Sequence, residues 1–430
     1  MKKCLLCVAL LTVFSVTHAQ VLPQLAPGDV GLAKDRLERI RVKMEKDIAE
    51  NRLSGGIGLI ARRGKIAYFE TYGMADKEAG KPMTKDAVFR IYSMTKAVTG
   101  VAVMVLYEEG RFALTDPVSR YLPEFTTMKV AVEKTNPATG KPVLSHTIPA
   151  ERQITILDLL RHTSGFNYAG PRDEKGESFY QRLELSGAAG ADTLIPLSEF
   201  VKRLAQVPLV HQPGTTWDYS LSMDVLGRLV EVVSGQTLDQ FYAERILKPL
   251  RMDDTAFHVP EQKWGRLVTL YTLNPDGTIK RAPDAMQDGA RKKPVLLMGG
   301  AGLMSTAMDY ARFVQMLVNG GELDGVRILS PRTVELMRSD VLGNLPRSGG
   351  FFPTGYGFGL TFAVNRGPAE SASIVSKGEY FWGGAAGTSF WIDPQEKMTG
   401  VMMIQTMLDL GKGGTFKQLA YQAIVEDEKK

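Results

Sequence analysis

The stretch Phe89-Arg90-Ile91-Tyr92-Ser93-Met94-Thr95-Lys96 runs directly into Ala97, Val98, Val101, Ala102, Met104, Val105 and Leu106, and closes on Glu108-Glu109-Gly110. The apolar residues cover nearly every face of a 3.6-residue period, which predicts a helix buried almost all round, with Gly110 beyond its end. Ser93 stands at the start of that helix. Lys96 follows three residues on, hence on the same face one turn later. It is the only S-x-x-K in the chain. Burial disfavours an ammonium, so Lys96 is expected to have a lowered pKa and to accept a proton. The positive helix end favours negative charge developing at Ser93, and its N–H groups can donate to an oxyanion. The plain alternative is a serine N-cap beside a lysine whose head reaches solvent.

Outward from this helix the pattern changes twice. Towards the N-terminus, Ala33 to Glu50 reads as an amphipathic helix with Leu37, Ile40, Met44 and Ile48 on one stripe. Gly56 to Ala61 and Lys65 to Tyr72 read as a strand hairpin turning at Arg63-Gly64. Near the other end, Tyr356 to Val364, Thr388 to Ile392 and Met398 to Gln405 read as strands. A closing helix carries Phe416, Leu419, Ala420, Ala423 and Ile424. Between them the periods are mostly helical: Ile156 to Arg161, Met223 to Val233, Leu238 to Ile246 and Ala307 to Val318. Thr237 and Gln240 form a capping box for the third. Thr126 to Arg152 is polar and reads as a long loop or small hairpin. The expectation is one sheet built from both termini, with a helical region inserted in it. The expected division is residues 20–118 and 296–430 for the sheet domain, 119–295 for the helical one, and a site between them.

Composition sets the class. The chain has 430 residues, 44% hydrophobic and 23% charged, which suits a packed globular protein. Its 52 basic residues barely exceed the 47 acidic ones and are interspersed with them, so no basic stripe argues for nucleic acid. Lys2-Lys3, the apolar run Cys4 to Val16 and Thr17-His18-Ala19 read as a signal peptide, residues 1–19, cleaved after Ala19. The run is too short to span a bilayer comfortably, although a retained anchor is the alternative. The mature protein is then expected in the periplasm or secreted, with no stable membrane span. Both cysteines, Cys4 and Cys7, leave with the leader, which removes thiol nucleophiles, thiolate metal sites and disulfides.

Several chemistries lack their motifs. There is no H-E-x-x-H, and His146, His162, His211 and His258 are scattered, so no metal is expected. No G-x-S-x-G, P-loop or G-x-G-x-x-G occurs, and no cofactor is expected. Gly299-Gly300-Ala301-Gly302 reads as a tight turn. His162 and Asp218 read as turn residues and Trp391 as core.

Two further stretches extend the S-x-x-K. One is His211-Gln212-Pro213-Gly214-Thr215-Thr216-Trp217-Asp218-Tyr219-Ser220, and the other is Trp382-Gly383-Gly384-Ala385, just ahead of the strand from Thr388. In this order they resemble the three motifs of the serine β-lactamase and penicillin-binding-protein superfamily, class C branch. Asp116 to Pro123, Asp158 to Gly165, Pro249 to Thr255 and Gly300 to Thr306 with Asp309 to Phe313 agree, so the resemblance runs from about Leu37 to the C-terminus. It implies an α/β chain of the α+β type, with an antiparallel sheet flanked by helices. Two departures stand out. Leu221 occupies the place of the branch's asparagine, and Trp382 that of the lysine heading its third motif. An aromatic wall suits an uncharged acyl or alcohol group rather than a carboxylate. The pattern of S-x-x-K, Tyr-Ser-Leu and Trp-Gly-Gly resembles family VIII carboxylesterases, which implies hydrolysis of short-chain esters.

On that resemblance Ser93 is the nucleophile, and Lys96 with Tyr219 is the base, its proton site unassigned between them. The N–H groups of Ser93 and Ala385 form the oxyanion hole, and Trp382, Gly383 and Gly384 line the substrate. The expected partner is a small-molecule ester; oligomeric state is open. The alternatives are a cephalosporin-type β-lactamase, a D-alanyl peptidase or other amide hydrolase, a transferase, and a binding protein without catalysis.

Overall fold

The computed structural model describes residues 22–183, 185, 194–349 and 352–426. The expected signal peptide lies outside the described residues. Eight strands form one sheet: β1 (Gly55–Arg62), β2 (Lys65–Asp76), β3 (Lys81–Pro82), β4 (Tyr356–Phe358), β5 (Ala363–Asn365), β6 (Tyr380–Gly383), β7 (Ser389–Asp393) and β8 (Met398–Ile404), in the order β4-β5-β6-β7-β8-β1-β2-β3. Every neighbouring pair is antiparallel. The junction of the two termini is β1 on β8, with Gly56 opposite Ile404 and Arg62 opposite Met398.

The period of two sorts the sheet's faces. Along β8, Met398, Met402 and Ile404 pack with the amphipathic helix α1 (Lys34–Ala49) and the closing helix α5 (Gly411–Tyr421). Val401 and Met403 point the other way, into the core that holds α2 (Thr95–Glu108), α3 (Ser222–Ser234) and α4 (Ala307–Val318). Gly400 shares the α5 side, where a Cβ would stand 2.0 Å from the Trp391 ring, so only glycine leaves that indole its place. The second core is continuous from the sheet's inner face into the inserted helices.

The inserted region carries the expected capping box, in which the Thr237 N–H donates to Gln240 Oε1 at 3.3 Å. The helix it starts ends at Tyr242 and continues as a wider π turn, Ala243–Leu247. The polar segment after Thr126 forms a two-stranded ribbon, Lys129–Thr135 with Pro142–Pro149. One expected strand divides: Tyr356 to Val364 is the hairpin β4–β5, closed by Gly359 N–H on the Phe362 carbonyl at 2.8 Å with Thr361 at φ +77. Among the described residues no helix is long and apolar enough to cross a membrane.

Candidate active site

Ser93 lies in a single 3₁₀ turn, Tyr92–Met94, and α2 begins at Thr95. The nucleophile candidate therefore precedes the helix rather than capping it by its side chain. Its turn is tied at both ends. The Ile91 N–H donates to the Leu303 carbonyl at 3.1 Å, and the Tyr310 hydroxyl donates to the Met94 carbonyl at 2.9 Å. Lys96, in the first turn of α2, is 1% exposed. Its Nζ donates to Ser93 Oγ at 3.2 Å, to the Tyr168 hydroxyl at 3.1 Å and to the Gly300 carbonyl at 2.6 Å. The Tyr219 hydroxyl is a further acceptor within hydrogen-bond reach, and Nζ lies 4.7 Å from the centre of the Tyr219 ring.

These oxygens reverse one expectation. Burial does pull the Lys96 ammonium down, but the phenols of Tyr168 and Tyr219 and the carboxyl of Asp224 outweigh it, and the net direction is up. A lysine whose three N–H donors all meet oxygen is held as a cation. Asp224 is fully buried on the first turn of α3. Its Oδ1 accepts the Gly300 N–H at 2.9 Å. Burial pushes its carboxyl up to about 6, against the pull of Lys96 and of the Gly300 N–H. Gly300 thus faces Lys96 with its carbonyl oxygen and Asp224 with its own N–H, a role beyond the tight turn expected there.

Tyr219 stands just before α3. Its ring lies 5.0 Å from His162, 5.2 Å from Tyr168 and 5.3 Å from Trp382. The Trp382 indole N–H donates to its hydroxyl at 3.2 Å. His162 is buried, with Nδ1 2.9 Å from Ser220 Oγ. Burial and then the charge of Lys96 hold its imidazole well below 6.5, so it stays neutral. Ser220 and Ser164 both contact Ser222 Oγ, at 2.8 and 2.7 Å, which ties the turn after residue 162 to the Tyr219 loop. Asp218 meets His211 Nε2 at 3.1 Å, away from Ser93. Leu221 is wholly in the core, and Trp391 packs on Phe416 of α5 while also lining the cavity onto which Ser93 opens.

Ser93, Tyr219, Trp382, Gly383, Gly384 and Ala385 all line one cavity of 790 Å³. Lys96 lies beneath it. A Cβ on Gly384 would stand 2.4 Å from the Ile91 carbonyl, so glycine lets the end of β6 press against the turn that carries Ser93. Tyr168 and Asp224 were not singled out from the sequence. Asp224 had a signal, an acid on the apolar side of a buried helix five residues beyond Tyr219. Tyr168 had none besides its nearness to Asp158-to-Gly165.

Comparison with known proteins gives the family. The β-lactamase family model matches residues 39–420. The protein Rv1367c of Mycobacterium tuberculosis is 38% identical over 83% of this chain and 87% of its own length. The esterase EstB of Burkholderia gladioli is 33% identical over 83% and 86%. The solved structure of EstCE1, described as a hydrolase with promiscuous acyltransferase activity, superposes with a TM-score of 0.75 at 28% identity, covering 91% of this chain and 99% of its own. With the family model spanning most of its length, this chain belongs to the β-lactamase family and is a serine hydrolase of that fold.

Proposed function

We propose that this protein is a carboxylesterase that cleaves uncharged esters through an acyl-enzyme on Ser93. The observation that carries this reading is the Trp382 indole on the Tyr219 hydroxyl, 3.2 Å away, at the position where the lactamase branch has a cation. An apolar wall there gives an uncharged group a surface to pack on, and Lys417, which lines the same cavity, is already paired with Glu379 at 2.7 Å. The names of EstB and EstCE1 support an ester substrate.

In the proposed path Tyr219 enters as the phenolate, paired with the Lys96 ammonium, and Ser93 Oγ attacks the ester carbonyl as its proton passes to that phenolate oxygen. Lys96 remains an ammonium and compensates the charge that gathers on the two oxygens. The carbonyl oxygen is received by the N–H groups of Ser93 and Ala385. The tetrahedral adduct collapses, the alcohol leaves with the proton returned by Tyr219, and the acyl group stays on Ser93. Water, activated by the same pair of side chains, then releases the acid and restores the serine. A competing alcohol in place of water would make the same site an acyltransferase.

The test uses the purified wild type and Ser93→Ala on p-nitrophenyl esters beside a chromogenic cephalosporin. A serine-directed phosphonate, with its adduct mapped, identifies the nucleophile. Ester turnover that is lost in Ser93→Ala, with the adduct on Ser93, is the expected result. Cephalosporin turnover exceeding that of every ester, or an adduct on another residue, overturns the proposal.

A further inference from the structure

The cavity is larger than short-chain chemistry requires. Its 790 Å³ lies high in the range of about 300–1,000 Å³ usual for small-molecule sites. An acetyl or butyryl group on Ser93 would leave most of it unfilled. Much of the wall away from Ser93 is apolar, including Val375 and Phe381, with Lys417, paired to Glu379, over the Phe381 ring. Three exposed apolar residues belong to the same lining: Leu408 at 72%, Ile374 at 57% and Leu410 at 46% exposure. Exposed apolar side chains scattered singly need no explanation, but three around one opening do.

Leu408 supplies a second, independent observation. Its backbone sits at φ +62, in the left-handed region where a leucine is strained and glycine is the ordinary occupant. Because the side chain is mostly exposed, burial does not offset that strain. The segment is nevertheless held. The Leu408 N–H donates to the Ala385 carbonyl at 2.7 Å, and the Met407 N–H donates to the Tyr271 carbonyl at 2.9 Å. A strained residue beside a reaction centre is where function is to be sought.

We infer that Leu408, together with Leu410 and Ile374, closes over a long apolar acyl chain, so that the site selects esters of medium- and long-chain acids over short ones. The inference rests on the esterase reading above. The alcohol must leave past Tyr219, which returns its proton. The wall beside Ala385, where Leu408 is anchored, is left for the acyl group. Each methylene that the rim and wall remove from water favours binding by up to about fourfold.

The experiment measures kcat/KM for p-nitrophenyl esters from acetate to dodecanoate, below their critical micelle concentrations, with wild type and Leu408→Gly. Glycine adopts the left-handed backbone without strain, so this variant folds at least as stably, which a melting curve checks. The expected result is a kcat/KM that rises at least to the octanoate. In Leu408→Gly the octanoate-to-butyrate ratio falls by about three- to tenfold. An optimum at acetate or butyrate, or an unchanged ratio in the variant, overturns the inference while leaving the esterase reading intact. Should the wild type cleave no ester, that reading fails by itself. Binding of octanoate and butyrate, followed by tryptophan fluorescence, then decides the inference separately. Octanoate binding tighter by tenfold or more, and weakened in Leu408→Gly, sustains it; equal binding of both acids overturns it.

Discussion

The Trp382 indole N–H reaches the Tyr219 hydroxyl across 3.2 Å, so the wall of the cavity is bonded to the group proposed to carry the proton. Trp382→Phe keeps an aromatic wall and removes that bond. Losing about 1–1.5 kcal/mol of hydrogen bonding predicts a kcat lowered roughly tenfold. KM for a butyrate ester is expected to stay near its wild-type value. Steady-state kinetics check this, and an effect confined to KM would assign Trp382 to binding alone.

Two phenols share Lys96, and the proposal gives them unequal work. Tyr219→Phe is expected to lower kcat by roughly 10²- to 10⁴-fold, the usual worth of a proton-transfer group. Tyr168→Phe removes only an acceptor 3.1 Å from Nζ, and a loss of about tenfold is expected. Measuring both variants on one ester settles the order. The reverse ranking would move the proton to Tyr168.

Asp224 makes stability depend on pH. Its carboxyl is raised from 3.8 to about 6 in the folded protein, chiefly by burial. The unfolded chain therefore gives up this proton at a lower pH than the native state does. Between about pH 4 and 6 the native state holds more protons, and stability falls as pH rises through that window. Above it the buried charge costs on the order of 3 kcal/mol. Asp309 is raised to about 6 by the same cause and adds a similar slope. Asp224→Asn is thus expected to melt higher than wild type at pH 8, with the advantage shrinking by pH 4.5. Thermal unfolding at the two values checks it; an equal advantage at both would show that the carboxyl is not charged in the native state.

Gly400 is predicted to be intolerant of even one methyl group. With its Cβ position 2.0 Å from Trp391, Gly400→Ala forces the indole or β8 to move, at a cost of about 1–3 kcal/mol. The midpoint of denaturant unfolding should drop accordingly. Adding Trp391→Leu should recover part of the loss, and the absence of any recovery would place the strain elsewhere.

What the sequence made legible, and what it hid, follows from the range of the interactions. The strand runs at both ends and the mostly apolar α2 are local patterns, and Ser93, Lys96, Tyr219 and Trp382 stood out as motif residues. Tyr356 to Val364 is equally apolar along its length, and nothing in it announces that Thr361 turns the chain back. The pKa direction of Lys96 was misjudged because burial can be read from the neighbours in sequence. The opposing oxygens come from residues 168, 219, 224 and 300, which only the fold assembles. Tyr168 was missed for the same reason.

The pairing of Gly56 with Ile404 at the centre of the sheet bears on how the protein is made. The first strand has no neighbour on one side until the residues between Arg62 and Met398 have been made. Closing so distant a pair is slow, and until then an apolar edge stays open to aggregation. A polypeptide cut short before Met398 would retain S-x-x-K and the tyrosine loop yet lack the strand that seals the middle of its sheet. Nascent chains of this protein should therefore depend on holding factors until the strand ending at Ile404 has emerged.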